Sequence, residues 1–311
     1  MKYLVGTRGS QLSLVQTNWV ISELQKKNPG AEFEIKTIKT KGDTDARPLF
    51  TINRKGIFEK EIDRAVAEGQ IDFAVHSLKD VPSILGDELT LACVPKREDA
   101  NDVLISLDGS TLESIKSGAT IGTSSLRRAV QIARKRADLN VKPIRGNIET
   151  RIKKISEGAY DAVILAQAGI ARLELDVKFS KLPLDDFPPS PGQGALAIVC
   201  RSNADKTISM LKKIEDLQSR LEVEAERTLS EYVDSGCRFP VGAFAKIVDG
   251  TLSLTVMAYS IDGKQFLIVQ KSGKKDEPAK LGKEAADMLK SKGISELAKD
   301  WRKKVEEWNK Q

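Results

Sequence analysis

The sequence has few of the residues on which several common kinds of site depend. Its 311 residues include one histidine, His76, and three widely spaced cysteines, Cys93, Cys200 and Cys237. A single histidine argues against a Cys/His zinc site, and we expect no metal. An odd number of scattered cysteines is not a disulfide framework. The absence of a phosphate-loop or GxGxxG motif argues against the nucleotide-binding folds that carry them.

Aromatic residues and long apolar runs are also scarce. Aromatics make up 5% of the chain, which argues against the stacking platforms of single-stranded nucleic-acid binders. No stretch approaches the ~18 uninterrupted apolar residues of a membrane span. The first eight residues have no apolar signal-peptide core. We therefore expect a cytoplasmic protein without membrane or nucleic-acid partners. The formal charge of +6 and sequence pI of about 9.0 favour anionic partners in general.

Strand and helix signals alternate through the first half of the chain. Strands are predicted at residues 3–7, 33–40, 71–76, 89–94, 103–106, 120–122, 141–144 and 162–165. Helices are predicted at residues 10–26, 56–68, 112–117, 126–137, 148–157 and 168–175. This alternation indicates βαβ units, and two successive rounds predict two similar α/β lobes with mainly parallel sheets.

The chain changes character after the Pro- and Gly-rich segment 183–194, which is typical of a linker or crossing segment. A strand is predicted at 195–200 and a helix at 221–233. Hairpin-like strands follow at 243–248, 251–259 and 265–270, joined by Asp-Gly turns. A charged helical tail at 279–308 completes a smaller α+β module.

Cationic or hydroxyl side chains follow the predicted strands of both lobes, where open α/β sheets bind their ligands. Arginine binds a carboxylate through two parallel N–H bonds and stays charged, so the pattern predicts a cleft for a ligand with several carboxylates. The candidates are Arg8, Ser10, Lys79, Thr123, Ser124, Ser125, Arg127, Arg128, Arg145, Arg151 and Arg172. For one motif an alternative stays open, in which Ser124 or Ser125 merely caps a helix whose arginines face water.

Two further residues are candidates for chemistry. Asp80 is an acid among these bases, and an ionised carboxylate there is able to steady a cationic intermediate or exchange a proton. Its alternative is an ordinary Asp-Val-Pro turn. Cys237 lies in a predicted loop after Gly236, where a thiol beside Arg238 is a candidate nucleophile or else a small buried residue. Cys93, Cys200 and His76 lie within predicted strands and are expected to be structural.

Several segments together resemble the porphobilinogen deaminase family, also called hydroxymethylbilane synthases. The resemblance runs almost end to end. The segments that carry it are Gly6-Thr7-Arg8-Gly9-Ser10, Val75-His76-Ser77-Leu78-Lys79-Asp80-Val81-Pro82, Gly122-Thr123-Ser124-Ser125-Leu126-Arg127-Arg128, Arg145-Gly146-Asn147, Pro191-Gly192-Gln193-Gly194-Ala195 and Gly236-Cys237.

The resemblance implies a monomeric transferase of tetrapyrrole (haem-type) biosynthesis that condenses four porphobilinogens, releasing ammonia each time, to hydroxymethylbilane. It implies a dipyrromethane cofactor, held by a thioether to Cys237. It also implies three domains, the first two shaped like the lobes of periplasmic binding proteins. We assign residues 1–95 with 195–215 to the first domain, 96–194 to the second and 216–311 to the third.

The resemblance carries over residue by residue. It makes Asp80 catalytic. The implied cofactor-binding residues are Cys237, Lys79, Ser125, Arg127, Arg128 and Arg145. The implied substrate-binding residues are Arg8, Ser10, Arg151, Arg172, Lys55 and Gln193. Lys55 falls in the family's mobile loop, at about residues 42–56, which lacks the extra glycine common before this lysine. Arg238-Phe239 stands where many bacterial members have Gln-Val.

Two rival functions fit part of the pattern. A two-lobed binding module for an organic anion would share the cleft, but it needs neither the third module nor the loop cysteine. A nucleic-acid binder would share the positive charge, but the cations are concentrated at strand ends and aromatics are few.

Overall fold

Three β-sheets organise the chain in the computed structural model, which describes residues 2–40, 60–233 and 239–299. The strands are β1 Lys2–Thr7, β2 Glu32–Thr37, β3 Phe73–Ser77, β4 Leu89–Cys93, β5 Asp102–Ser106, β6 Thr120–Gly122, β7 Asn140–Lys142, β8 Ala162–Ala166, β9 Phe179–Lys181, β10 Leu196–Arg201, β11 Val241–Val248, β12 Thr251–Tyr259 and β13 Phe266–Lys274. The helices are α1 Gln11–Lys27, α2 Lys60–Ala67, α3 Leu126–Lys135, α4 Ile148–Ser156, α5 Gln167–Arg172, α6 Asp205–Leu211, α7 Leu217–Tyr232, α8 Pro278–Ser291 and α9 Ile294–Leu297.

The first sheet has the strand order β2-β1-β3-β10-β4. Strand β1 pairs in parallel with β2 and β3, whereas β10 runs antiparallel between β3 and β4. Apolar side chains of these strands pack with α1 into one buried cluster that includes Val5, Leu24, Phe73 and Ile198. The first lobe is therefore built from two separated stretches of the chain.

The second sheet repeats this arrangement with the order β7-β6-β8-β5-β9. Strand β6 pairs in parallel with β7 and β8, and β5 runs antiparallel between β8 and β9. The predicted two α/β lobes and smaller α+β module are thus confirmed. In each of these two sheets four of the five strands run in the same direction, and the remaining strand, β10 or β5, runs antiparallel to both of its neighbours.

The segment 183–194 crosses between the lobes and packs closely against both. Gly194 has a φ of +88°, and a Cβ there would lie 2.4 Å from the carbonyl oxygen of Glu98. Gly192 has a φ of +74° and lies against the Leu78 side chain. Both positions therefore require glycine, for conformation and for space.

The third sheet is the antiparallel meander β11-β12-β13. Helices α7 and α8 pack on one face of it and bury Leu229, Leu254, Val256 and Leu289. The predicted Asp-Gly turns are present, with Gly250 and Gly263 both at positive φ. In the described part of the chain, no helix is long and apolar enough to cross a membrane.

One predicted helix, at residues 112–117, is wrong. The segment forms turns, although Leu112 and Ile115 are buried as the pattern required. Thr111 and Ser114 exchange local side-chain hydrogen bonds, and Arg136 donates to the carbonyl oxygens of Leu112, Glu113 and Ile115. Side chains thereby take the partners that helix backbone would have used. The short elements β9 and α6 were not predicted.

Candidate active site

The candidate site lies where the two lobes turn the ends of their strands toward each other. In the first sheet, the carboxyl end of β3 lies beside the amino end of the antiparallel β10, because Ser77 pairs with Leu196. In the second sheet, the carboxyl end of β8 lies beside the amino end of β5, because Ala166 pairs with Asp102. Each edge therefore collects residues that follow one strand and precede another.

A short turn at the end of β3 carries the predicted catalytic acid. Residues Leu78–Asp80 form one turn of 3-10 helix. Leu78 is buried, and its N–H donates to the carbonyl oxygen of Ala195 at 3.0 Å. Lys79 and Asp80 are exposed. The turn thus anchors one apolar side chain and presents an adjacent ammonium and carboxylate.

Arg127 and Arg128, in the first turn of α3, share one buried carboxylate. The Nε and Nη2 atoms of Arg128 donate to Oδ1 of Asp102 at 3.0 and 2.7 Å. Nη1 of Arg127 lies 2.8 Å from Oδ2 of the same residue. All three side chains are less than a tenth exposed. The two arginines hold one internal anion, which leaves a net formal charge of +1.

Burial alone would raise the pKa of Asp102, but the charges of Arg127 and Arg128 outweigh it and hold that pKa well below its usual range. Asp102 was not among the residues predicted from the sequence. Because it opens β5 and does not come after a strand, a search of the segments after each strand overlooks it. An acid directly before the apolar run of residues 103–105 was the available signal.

Gln193, a predicted substrate-binding residue, belongs to the same network. Its Nε2 donates to the carbonyl oxygen of Ala100 at 2.7 Å and to Asp102 at 2.8 Å, and its Oε1 accepts from Arg128 at 3.3 Å. The residue is 1% exposed. In this arrangement the buried Gln193 side chain holds Asp102 and Arg128 in place. Its effect on the cleft is therefore indirect, through the position of these two residues.

The hydroxyl residues before α3 mainly order the backbone. Ser125 is the N-cap of α3 and accepts from the N–H of Arg128 at 3.5 Å. The N–H of Ser125 donates to Thr123 Oγ1 at 3.2 Å, and Ser124 donates to the carbonyl oxygen of Ile144. The capping alternative therefore holds for Ser125, but the next two arginines face a buried carboxylate and not water.

Three further predicted arginines lie around α4 and α5: Arg145 precedes α4, Arg151 lies within α4, and Arg172 is the last residue of α5. Arg151 Nε donates to the Gly146 carbonyl oxygen at 2.8 Å, and Arg172 Nη2 donates to the Gly194 carbonyl oxygen at 2.7 Å. Burial, with the nearby charges of Arg128 and Arg145, lowers the pKa of Arg151 to about 10. Burial also lowers the pKa of Arg172 to about 10. Both remain cations at neutral pH.

Lys79, which belongs to the first lobe, is influenced electrostatically by the charges of Arg127, Arg128 and Asp102 in the second lobe. Desolvation by the surrounding protein lowers its pKa to about 8, with Arg128 and Arg127 adding to the lowering and Asp80 and Asp102 opposing it. Because the side chain keeps exposed surface, water offsets part of this lowering. The structure thus brings Lys79 within electrostatic reach of Arg127, Arg128 and Asp102.

The remaining predicted residues have separate outcomes. Ser10 is the N-cap of α1 and accepts from the N–H of Ser13 at 3.3 Å, while Arg8 follows β1 and is half-buried. Helix α1, which Ser10 caps, contacts α5 of the other lobe. Lys55, the predicted loop 42–56 and Cys237 lie outside the described residues.

Cys93 and Cys200 are buried free thiols. Burial raises the pKa of Cys93 far above its usual range and that of Cys200 to about 11. A thiol with a raised pKa is a poor nucleophile at neutral pH. His76 is buried, as expected for a residue within a strand, and its Nε2 lies 3.1 Å from Asp63 Oδ1 on α2. Among the described residues, no three His, Cys, Asp or Glu side chains lie together as a metal site.

Comparison with known proteins gives matches along nearly the whole chain. The model described as "Porphobilinogen deaminase, dipyromethane cofactor binding domain" matches residues 3–209, and "Porphobilinogen deaminase, C-terminal domain" matches residues 220–291. A probable porphobilinogen deaminase of Nitrosopumilus maritimus is 68% identical over 310 residues, covering 100% of both chains. The porphobilinogen deaminase of Brevibacillus brevis is 43% identical, covering 95% of this chain and 96% of its own.

A solved substrate-binding domain of GlnP from Lactococcus lactis has a TM-score of 0.43 and 15% identity, covering 68% of this chain and 87% of that one. A likeness this distant carries no functional argument. The two family models and the full-length relatives do, and they agree with the motifs that end at the cleft. The chain belongs to the porphobilinogen deaminase family.

Proposed function

We propose that this chain is a transferase that condenses four porphobilinogen molecules head to tail, with loss of one ammonia from each, and releases the linear tetrapyrrole hydroxymethylbilane by hydrolysis with one water. One observation carries the proposal: the turn after β3 presents Asp80 beside Lys79, within reach of the arginine cluster of the second lobe. Membership of the porphobilinogen deaminase family supports it independently. Protein incubated with porphobilinogen should release one ammonia per molecule consumed and form the linear tetrapyrrole. Failure of freshly purified protein to do so would refute the proposal.

The charges of the cleft fit a cofactor and substrates rich in carboxylates. Arg128 acts electrostatically on Lys79 together with Arg127, and on Arg151 together with Arg145. Asp80 and Asp102 are the carboxylates that act on Lys79. Five cations against two anions leave three positive charges. Each pyrrole of this chemistry carries an acetate and a propionate, so a dipyrromethane adds four negative charges. A polyanion is therefore the ligand that this donor set suits.

When bound, the dipyrromethane supplies the pyrrole to which the first substrate is joined. Lys79, Arg127, Arg128 and Arg145 are the residues that we propose hold its carboxylates, with Ser125 at the start of α3 beside them. Because Asp102 and Gln193 fix the two α3 guanidinium groups, little reorganisation is needed when an anion arrives. We propose Arg8, Ser10, Arg151, Arg172 and Lys55 for the carboxylates of incoming substrate.

Asp80 is the proposed catalytic residue. Loss of ammonia from porphobilinogen leaves an azafulvene cation, and an ionised carboxylate stabilises such a cation while it accepts pyrrole N–H bonds. Asp80 is exposed to the cleft, whereas the carboxylate of Asp102 is buried and paired with two arginines. Of these two acids, therefore, Asp80 is the one that substrate is able to reach.

Cys237 is the proposed point of cofactor attachment. A thiolate is a natural nucleophile for an azafulvene electrophile and gives a stable C–S bond. The other two thiols, Cys93 and Cys200, are buried with raised pKa values, so neither is suited to this reaction. This leaves Cys237 as the candidate among the three cysteines of the chain.

The lowered pKa of Lys79 predicts how cofactor assembly depends on pH. Binding of a carboxylate needs the ammonium, which is lost as pH rises through a value of about 8. We expect the rate of assembly on apoprotein, relative to Lys79→Arg, to fall about tenfold for each pH unit above the pKa. Lys79→Arg is the control, because the arginine side chain stays charged over this pH range. Any effect of ionisation of the Cys237 thiol on the rate is the same in both proteins. A constant ratio between the two rates at all pH values would contradict a role for Lys79.

The domain bounds stay proposals: 1–95 with 195–215, 96–194 and 216–311. The three sheets support them, since β10 joins the first sheet and β5–β9 form the second. A cytoplasmic location and a monomeric state are likewise proposed.

A further inference from the structure

Arg227, on α7, was not among the predicted site residues, yet it binds the backbone next to Asp80. Its Nη2 donates to the carbonyl oxygens of Pro82 at 2.8 Å and Ser83 at 2.9 Å. Its Nη1 donates to the carbonyl oxygen of Val81 at 3.4 Å. One guanidinium group thus forms a clamp on the three consecutive carbonyl groups that come directly after Asp80.

These carbonyl groups belong to irregular backbone that has no strand or helix to pair with. Buried backbone carbonyl groups need donors, and a planar guanidinium with several N–H groups supplies them from one side chain. Each bond restrains a backbone orientation just beyond the turn that carries Asp80. The direction in which Asp80 points therefore depends on Arg227.

The same face of α7 also supports the turn through apolar contact. Val223 lies one helical turn before Arg227 and belongs to the same buried cluster as Leu78 and Val81. The two residues flanking Lys79 and Asp80 are thereby packed on the helix that carries the clamp. This contact is independent of the hydrogen bonds and places α7 directly under the catalytic turn.

The neighbouring residue Glu226 ties α7 to the other side of the turn. Its Oε2 accepts from the N–H of Gly192 at 2.6 Å, and its Oε1 accepts from the N–H of Ala245 at 2.8 Å. Gly192 in turn packs against the Leu78 side chain. Two successive residues of α7 therefore hold the segment after Asp80 and the crossing segment that lies against Leu78.

We propose that Arg227 is a positioning residue for Asp80, which fixes the catalytic carboxylate to the helix that leads, ten residues later, to Cys237. The inference rests on the proposed roles of Asp80 and Cys237. In this arrangement α7 supports the acid, and in the sequence it directly precedes the segment that bears the proposed cofactor thiol.

The test compares Arg227→Gln with Arg220→Gln in the holoenzyme. Arg220 is the matched control, since it lies on α7 and binds Glu215 and the carbonyl oxygen of Leu91, away from Asp80. We expect Arg227→Gln to lose about 10- to 100-fold in kcat, because small misplacements of a reacting group are costly. KM should change by less than about twofold and the cofactor adduct should persist. Arg220→Gln should keep kcat near wild type even where both variants lose similar Tm.

A kcat of Arg227→Gln equal to that of Arg220→Gln would overturn the inference. If Arg227→Gln does not fold, Arg227→Lys decides, since lysine keeps the charge but lacks the planar fork; a wild-type kcat in that variant overturns the inference as well. The proposed catalytic role of Asp80 fails separately, through an active Asp80→Asn variant, and the proposed function fails if the wild-type protein does not convert porphobilinogen. An inactive Asp80→Asn together with fully active Arg227 variants would refute only the clamp.

Discussion

Asp80→Asn is expected to lower kcat by about 10²- to 10³-fold, the usual cost of removing one group that stabilises developing charge. Asparagine has nearly the same shape and still accepts one hydrogen bond, but it no longer neutralises a cation. Porphobilinogen should still bind and the covalent adduct should still be present, because the cations around the site are unchanged. The measurements are steady-state kinetics and the intact mass of the variant after mixing with substrate.

Asp87→Asn is the matched control for this variant. Asp87 is an exposed acid seven residues further along the chain, beyond the segment that Arg227 holds. We expect its kcat to equal that of the wild type. Turnover of Asp80→Asn within a few-fold of Asp87→Asn would remove Asp80 from the catalytic role.

Cys237→Ala is expected to abolish the covalent adduct and to reduce turnover to background. Intact-mass analysis of wild-type protein should show an addition the size of two condensed pyrroles, and the variant should show the mass of the bare polypeptide. The loss follows from chemistry and not from folding, since alanine conserves most of the volume of a thiol residue. Loss of the bound cofactor should itself lower Tm, so the folding of the variant is checked by circular dichroism and not by an unchanged Tm.

Cys200→Ala controls for the loss of a cysteine. Its thiol is buried in the first lobe with a raised pKa, so the variant should keep the adduct even if packing costs it some stability. An adduct that disappears with Cys200, or an active wild-type protein without one, would be incompatible with attachment at Cys237.

The sequence predicted best those features that local chemistry decides. The helices predicted at residues 10–26, 126–137 and 148–157 are present, and in the structure Ser10, Ser125 and Asn147 each start one of them by accepting a backbone hydrogen bond. The alternation of strands and helices located the two lobes. Strand β6 at Thr120–Gly122 and strand β12 at Thr251–Tyr259 match the predicted bounds. These features depend on neighbours within a few residues, which one sequence displays directly.

The features that the sequence did not predict depend on strand direction and on distant partners. The rule that ligands lie beyond the carboxyl ends of strands holds for parallel strands, so it overlooked Asp102 at the start of the antiparallel β5. Gln193, before the antiparallel β10, was known only from the family resemblance. Arg227 was missed because its partners lie about 145 residues earlier in the chain, a separation that no local pattern encodes.

The position of β10 has a consequence for how the chain folds as it is synthesised. Strand β10 lies between β3 and β4, so β4 has no place in the first sheet until residues 196–201 have been made. The second lobe is encoded entirely between these two stretches and contains all its own strands. The amino-terminal lobe, although it is synthesised first, is therefore the later of the two to become complete. Until β10 has been made, the edge of β3 that pairs with it stays unpaired.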